Sequence, residues 1–180
     1  MKPISILFFS ICMYTITFGQ GKHQHFEMDM SLGIAFPTGN TSLEQTLLFS
    51  IEPKYVLSDH YTVGLRLEVA PNMNFAGTTN PWIVNVFSSV LTADYLFDYG
   101  TVKPFAGIGA GIFRQHLSNG GYPLIVVNEH HFGIMARTGL EIKCFHVSLE
   151  YNTAFNEQRN NLNYIGFKLG MFLMRRRVNK

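Results

Sequence analysis

Phe26-Glu27-Met28-Asp29-Met30-Ser31-Leu32-Gly33-Ile34-Ala35-Phe36 alternates without a break. Phe26, Met28, Met30, Leu32, Ile34 and Phe36 fall on one face of an extended chain. Glu27, Asp29, Ser31, Gly33 and Ala35 fall on the other. A period of two is that of a β-strand, so this segment predicts a strand whose faces meet two different environments.

The same pattern recurs along the chain. Strands are predicted at 26–36, 45–57, 60–70, 83–97, 102–114, 131–143, 145–155 and 163–173. Each is long enough to cross a hydrocarbon layer at a tilt. The links alternate in length. Ser58-Asp59, Asp98-Tyr99-Gly100-Thr101 and Cys144 are short. Pro37–Glu44, Pro71–Trp82, Gln115–His130 and Asn156–Leu162 are long and rich in Asn, Gly, Pro and Thr, as loops are. Short turns at one end and long loops at the other are a property of transmembrane barrels. No helical period, low-complexity tract or second domain interrupts the series.

The apolar faces carry no charge. Strand two offers Leu47, Phe49, Ile51, Tyr55 and Leu57; strand three Tyr61, Val63, Leu65, Leu67 and Val69. Strand eight offers Ile165, Phe167, Leu169, Met171 and Leu173. Aromatic residues gather towards strand ends, where an interfacial girdle belongs. The opposite faces carry Glu27, Asp29, Glu52, Lys54, Arg66, Glu68, Asp94, Lys103, Arg137, Glu141, Lys143, Glu150 and Lys168. An Arg or Lys facing lipid at the midplane costs about 2–4 kcal/mol, so these side chains are expected inside. Eight strands enclose a lumen that side chains just fill, and buried charges there need partners of opposite sign. The predicted fold is all-β, an eight-stranded antiparallel up-and-down transmembrane β-barrel.

A soluble, lipocalin-like barrel would reverse the faces and hold a ligand among the apolar ones. The alternating loop lengths, the aromatic strand ends and a polar face built from Gly107, Gly109 and Gly111 weigh against it, as does Trp82, which follows Pro81 in a predicted loop. Those three glycines are expected to make room for long side chains of neighbouring strands. They are not a phosphate loop, since no helix and no Lys-Ser/Thr pair follows.

Residues 1–19 read as a secretory signal peptide, with Lys2 ahead of an apolar stretch from Ile4 to Ile16 and Thr17-Phe18-Gly19 as the cleavage site. Residues 20–180 then form the barrel domain. Ile11 is too bulky to precede a lipidated Cys12. Cys144 is left as the single mature cysteine, so no internal disulfide forms and stability must come from elsewhere. Charged residues make up 14% of the chain and the net charge is +2, too little to suggest nucleic acid. Arg175-Arg176-Arg177 is a basic tail, solvated or touching anionic headgroups.

Glu52-Pro-Lys-Tyr-Val-Leu-Ser-Asp59, Val63-Gly-Leu-Arg-Leu-Glu68, Leu91-Thr-Ala-Asp-Tyr-Leu-Phe97, Lys103-Pro-Phe-Ala-Gly-Ile-Gly-Ala-Gly111 and Val147-Ser-Leu-Glu-Tyr-Asn152 carry a resemblance. With these segments the chain resembles the small outer-membrane β-barrel domain family of Bacteroidetes, broadly OmpA/OmpX-like and porin-like. The resemblance spans nearly all of the mature chain and implies a place in the cell outer membrane, with both termini periplasmic. It transfers no functional residues. One departure is that Phe172, the aromatic residue near the end of the last strand, is followed by Leu173 to Lys180. The expected role is structural or surface interaction without enzymatic activity, by a monomer in outer-membrane lipid whose long loops meet an extracellular or envelope protein. A narrow pore for ions or small solutes is the alternative, and lipid A modification a third. The longest loop carries Tyr122, Leu124, Ile125, Val126 and Val127, either as a hairpin extending strands five and six or as an edge for a partner.

The chemical constellations are few. His146-Val147-Ser148 resembles the His-x-Ser pair of PagL-type lipid A deacylases, with Glu150 or Glu157 as a third member. A nucleophile needs a base within hydrogen-bond reach. Leu149-Glu150 replaces the Asn-Ala of that family, and His146 is expected inward near the short-turn end, so lumen filling is the preferred reading. His130-His131 point to opposite faces and do not form a metal pair. His23 and His25 lie in the tail, where a copper site would need cleavage after Gln20. Arg66 with Glu68, and Arg137 with Glu141, line either a proton or ion path or a packed salt-bridge lumen. No cofactor, metal or catalytic residue is assigned.

Overall fold

The computed structural model describes residues 25–38, 45–74, 82–97, 100–119, 126–155 and 162–174. They form eight strands: β1 (Phe26–Thr38), β2 (Thr46–Val56), β3 (Tyr61–Asn74), β4 (Trp82–Leu96), β5 (Val102–Asn119), β6 (Val126–Ile142), β7 (Phe145–Ala154) and β8 (Leu162–Met174). Each pairs antiparallel with the next, and β8 closes on β1 to give a complete barrel. Closure leaves no sheet edge along the wall, which lets a sheet sit in lipid with its backbone satisfied.

The alternation holds all the way round. Leu32, Leu47, Leu65, Leu91, Ile108, Ile134, Leu149 and Leu169 are exposed on the outer wall, while Asp29, Glu52, Arg66, Asp94, Arg137, Glu150 and Lys168 are buried within. A soluble barrel would place these two sets the other way, so the lipocalin-like reading does not apply. Aromatic residues ring the end that carries the short turns. There Tyr61 and Phe97 each meet Tyr95 edge-on, with centroids 5.1 and 4.9 Å apart. Towards the other end Phe132 stacks on Phe155 at 6.4 Å.

Three connections are short. Ser58 shapes the first, its hydroxyl accepting hydrogen bonds from the backbone N–H groups of His60 and Tyr61. Gly100 in the second has φ 76°, open to glycine without penalty. Lys143 and Cys144 form the third, with Lys143 left-handed at φ 56°. Lys143 is therefore an exposed turn residue rather than a lumen charge, and β6 ends one residue before it. Trp82 is likewise corrected: it opens β4 and pairs with Asn119 instead of lying in a loop.

The largest difference from the expected strand limits is at β5 and β6. They run to Asn119 and back from Val126, with Ser118 paired to Val126. The hairpin thus extends both strands well beyond the ten or so residues that a tilted strand needs to cross. Tyr122, Leu124 and Ile125 lie outside the described residues, as do residues 1–24, Glu157 and Arg175–Arg177.

The glycines of β5 do what their face predicts. A Cβ on Gly107 would stand 2.0 Å from Asp94 Oδ1 and 3.0 Å from the Ala93 carbonyl oxygen. Gly107→Ala is expected to cost about 1–3 kcal/mol, as overpacking does, because Asp94 is pinned from the other side. Urea denaturation of the refolded barrel measures it; an unchanged midpoint would show that Asp94 has room to move.

Candidate functional site

Among the described residues the lumen gathers the barrel's charged side chains, and its bonded charges come from every strand except β5, whose inward side chains are Phe105, Phe113 and Gln115 beside its glycines. β5 contributes glycines, and the side chains of its neighbours occupy the space.

Arg137 lies at the centre. Its Nε donates to Asp94 Oδ1, Nη1 to Glu52 Oε2, and Nη2 to both Glu52 Oε1 and Asp94 Oδ2, all at 2.7 Å. One planar guanidinium is thus forked by two carboxylates, the strongest geometry an ion pair adopts. Thr92 Oγ1 donates to Glu52 Oε1 at 2.5 Å. Lys54 Nζ stands 3.4 Å from both Asp94 and Asp29, over the Phe172 ring at 5.5 Å. Asp29 Oδ1 in turn bonds His146 Nε2 at 2.9 Å.

A second cluster sits towards the long-loop end. Lys168 Nζ binds Glu68 and, at 2.7 Å, Glu150 Oε2. Arg66 donates through Nη1 to Glu150 and through Nη2 to Asn152 Oδ1 at 2.7 Å. Tyr164 donates its hydroxyl to Glu68 Oε1 at 2.5 Å. Arg137 Nη1, 3.8 Å from Glu150 Oε1, joins the two clusters. Such a network is stable only when its members are mutually satisfied, since each buried ion loses several kcal/mol of hydration.

Apolar side chains pack towards both ends. Leu48, Val86, Val90, Phe113, Met135 and Tyr164 pack together on the long-loop side. Val56, Leu96, Phe105 and Phe172 are buried on the short-turn side. Phe172 therefore lies within β8 and faces inward, against His146 at 5.3 Å.

The pairs expected within single strands are rearranged. Arg66 contacts Glu68 only at 3.8 Å and gives its close bonds to Glu150 and Asn152 of β7 and to Met135 Sδ of β6. Arg137 bonds β2 and β4; Glu141 is buried and pairs in register with Lys103 and His146. Residues two apart on a strand point the same way and stand side by side, whereas groups from facing walls meet tip to tip.

His146, Ser148 and Glu150 do share the inner face of β7. They do not form a relay. Glu150 is held by Lys168 and Arg66, His146 by Asp29, and no hydrogen bond reaches His146 Nδ1 among the described residues. His130 is exposed while His131 turns inward and meets Glu129 Oε2 at 3.1 Å, so the two part as adjacent strand residues must. His25 stacks on Tyr55 at 5.8 Å; His23 lies outside the described residues. Among the described residues no three His, Cys, Asp or Glu side chains group as a metal site.

The fold has clear parallels. Neisserial surface protein A superposes with a TM-score of 0.66 at 15% identity, over 82% of this chain and 96% of that one. Ail, the attachment invasion locus protein of Yersinia pestis, solved with the heparin analogue sucrose octasulfate, gives 0.54 at 12% identity, over 82% and 98%. The N-terminal β-barrel domain of Pseudomonas aeruginosa OprF gives 0.50 at 16%, over 84% and 99%. The chain thus has the architecture of small eight-stranded outer-membrane barrels. No protein-family model and no curated protein matches it by sequence.

Proposed function

We propose that this is a plugged outer-membrane barrel of structural or surface-interaction type, without enzymatic activity. The observation that carries this reading is the lumen, where, among the described residues, four bases and five acids are bonded to one another through the middle and large side chains such as Phe113 and Phe172 pack towards the two ends. In this reading residues 1–19 are a cleaved signal peptide, residues 20–180 are the mature monomer, and both termini face the periplasm. The chain would then belong with the small outer-membrane barrel proteins of Bacteroidetes that its motifs resemble.

The long-loop end is the working surface. β7 stops at Ala154, opposite Gly133, so β6 from Val126 to His131 has no β7 partner among the described residues. The β5–β6 pair, which runs as far as Ser118 and Val126, is a long ribbon whose surface another chain can meet. It favours an extracellular or envelope protein as partner over a soluble ligand. Ail shows that a barrel of this size is compatible with binding a sulfated, heparin-like ligand.

Refolded protein added to a planar bilayer is expected to give no stable open conductance. A steady unitary current would replace this reading with the narrow channel for ions or small solutes. The unheated protein is also expected to migrate differently from the boiled protein in detergent gels. A mature chain that stayed soluble and monomeric without detergent would remove the membrane assignment altogether.

A further inference from the structure

Within the strands, Arg114 is the one Asp, Glu, Lys or Arg among the described residues whose side chain lies on the outer wall. It sits on β5 just above Ile112, where the apolar belt ends. Phe87 of β4 is its register partner on one side and His130 of β6 on the other, and all three are exposed. One step further out the wall is polar: His116 Nδ1 and Asn128 Oδ1 are 2.8 Å apart. Arg114 has no ion-pair partner among the described residues, in contrast to the four bases of the lumen network.

Below this position the same sector of wall is hollow. Ala93, Ala110 and Ala136 lie between Leu91, Ile108 and Ile134 and open a groove of about 550 Å³. A second groove of about 330 Å³, between Leu149 and Ile165, shares Ala136 and Tyr151 with the first. From Ala110 to Arg114 is about 13 Å along the strand at the usual rise. Both grooves are almost wholly apolar and face lipid.

We propose that this sector binds one phosphorylated, multiply acylated glycolipid of the outer leaflet, its phosphate on Arg114 and His130 and acyl chains in the two grooves. Three features converge on this occupant. A guanidinium at the interface costs little and forks phosphate oxygens well. An imidazole beside it supplies a second donor. Paired grooves beneath a cation fit several chains joined to one anionic headgroup, and they do not fit a soluble anion. The inference rests on the outer-membrane reading.

Native mass spectrometry of the detergent-solubilised full chain tests it, with phosphorylated lipid A, dephosphorylated lipid A and inorganic phosphate as probes. Wild-type protein is expected to retain one phosphorylated lipid A. Removing a charge-assisted hydrogen bond is worth at least about tenfold, and Arg114→Gln with His130→Gln should weaken retention by that much. Dephosphorylated lipid A should weaken equally, and Ala136→Phe should weaken retention by blocking both grooves. Retention that is the same with and without the basic pair, or with and without the phosphate, overturns the site. Effective competition by inorganic phosphate would do so too, because it would leave the grooves without a part. Heat-modifiable gel mobility separates the two readings. If the wild type lacks it, the membrane assignment fails and the lipid site with it; if it is present and lipid retention is insensitive, the lipid site alone fails.

Discussion

Arg137→Ala is expected to lower the stability of the refolded barrel by about 3–5 kcal/mol, the usual cost of removing one partner from a buried ion pair. The four bonds from Arg137 to Glu52 and Asp94 are lost together, and both carboxylates stay buried without their main partner. Lys54 stays near both, at 3.8 and 3.4 Å, but is already shared with Asp29. The matched control removes all three charges, as Glu52→Gln, Asp94→Asn and Arg137→Met. Most of the lost stability should return, because an uncharged set of similar volume needs no counter-ion. Urea titration in bilayers, read by gel mobility with and without boiling, measures both. A single variant within about 0.5 kcal/mol of the wild type would mean that water reaches the carboxylates and that the lumen is open.

Leu32→Arg is expected to cost about 2–4 kcal/mol. Leu32 is 65% exposed at the middle of β1, between Phe49 of β2 and Leu169 of β8, and every neighbour on that outer face is apolar. In lipid an arginine there has no partner and must reach for an interface. In water the same change would stay within about 0.5 kcal/mol, as surface substitutions do. The comparison thus reads the solvent of the outer wall directly. Arg114 is the internal control: it is already an outward arginine, but at the rim, where the same residue costs about 0–1 kcal/mol.

Much of this molecule is legible one strand at a time. The run from Phe26 to Phe36 shows which side chains share a face, and the same reading of the other strands finds the charges that go inside. The loop lengths order the ends. Gly107, Gly109 and Gly111 announce a thin place in the wall, and the structure shows Asp94 filling part of it. Lys143 and Trp82 are local cases: alternation runs on by chance past the end of β6, Pro81 signals a loop just before β4, and nothing in a period of two marks where pairing starts or stops. Arg114 was hidden by the opposite effect. It stands at the end of the alternating run of β5, beside a loop-like sequence, and its meaning depends on where the apolar belt ends.

The lumen pairing was beyond the sequence. Arg66 bonds Glu150 and Arg137 bonds Glu52, partners 84 and 85 positions apart in the chain, while the nearer candidates Glu68 and Glu141 are not the principal partners. What a chain determines by itself is the alternation, because a strand's period is a property of its own backbone. What only closure decides is which tips meet across the barrel, because that depends on the stagger accumulated over eight strands and on the glycine wall that lets facing side chains reach one another.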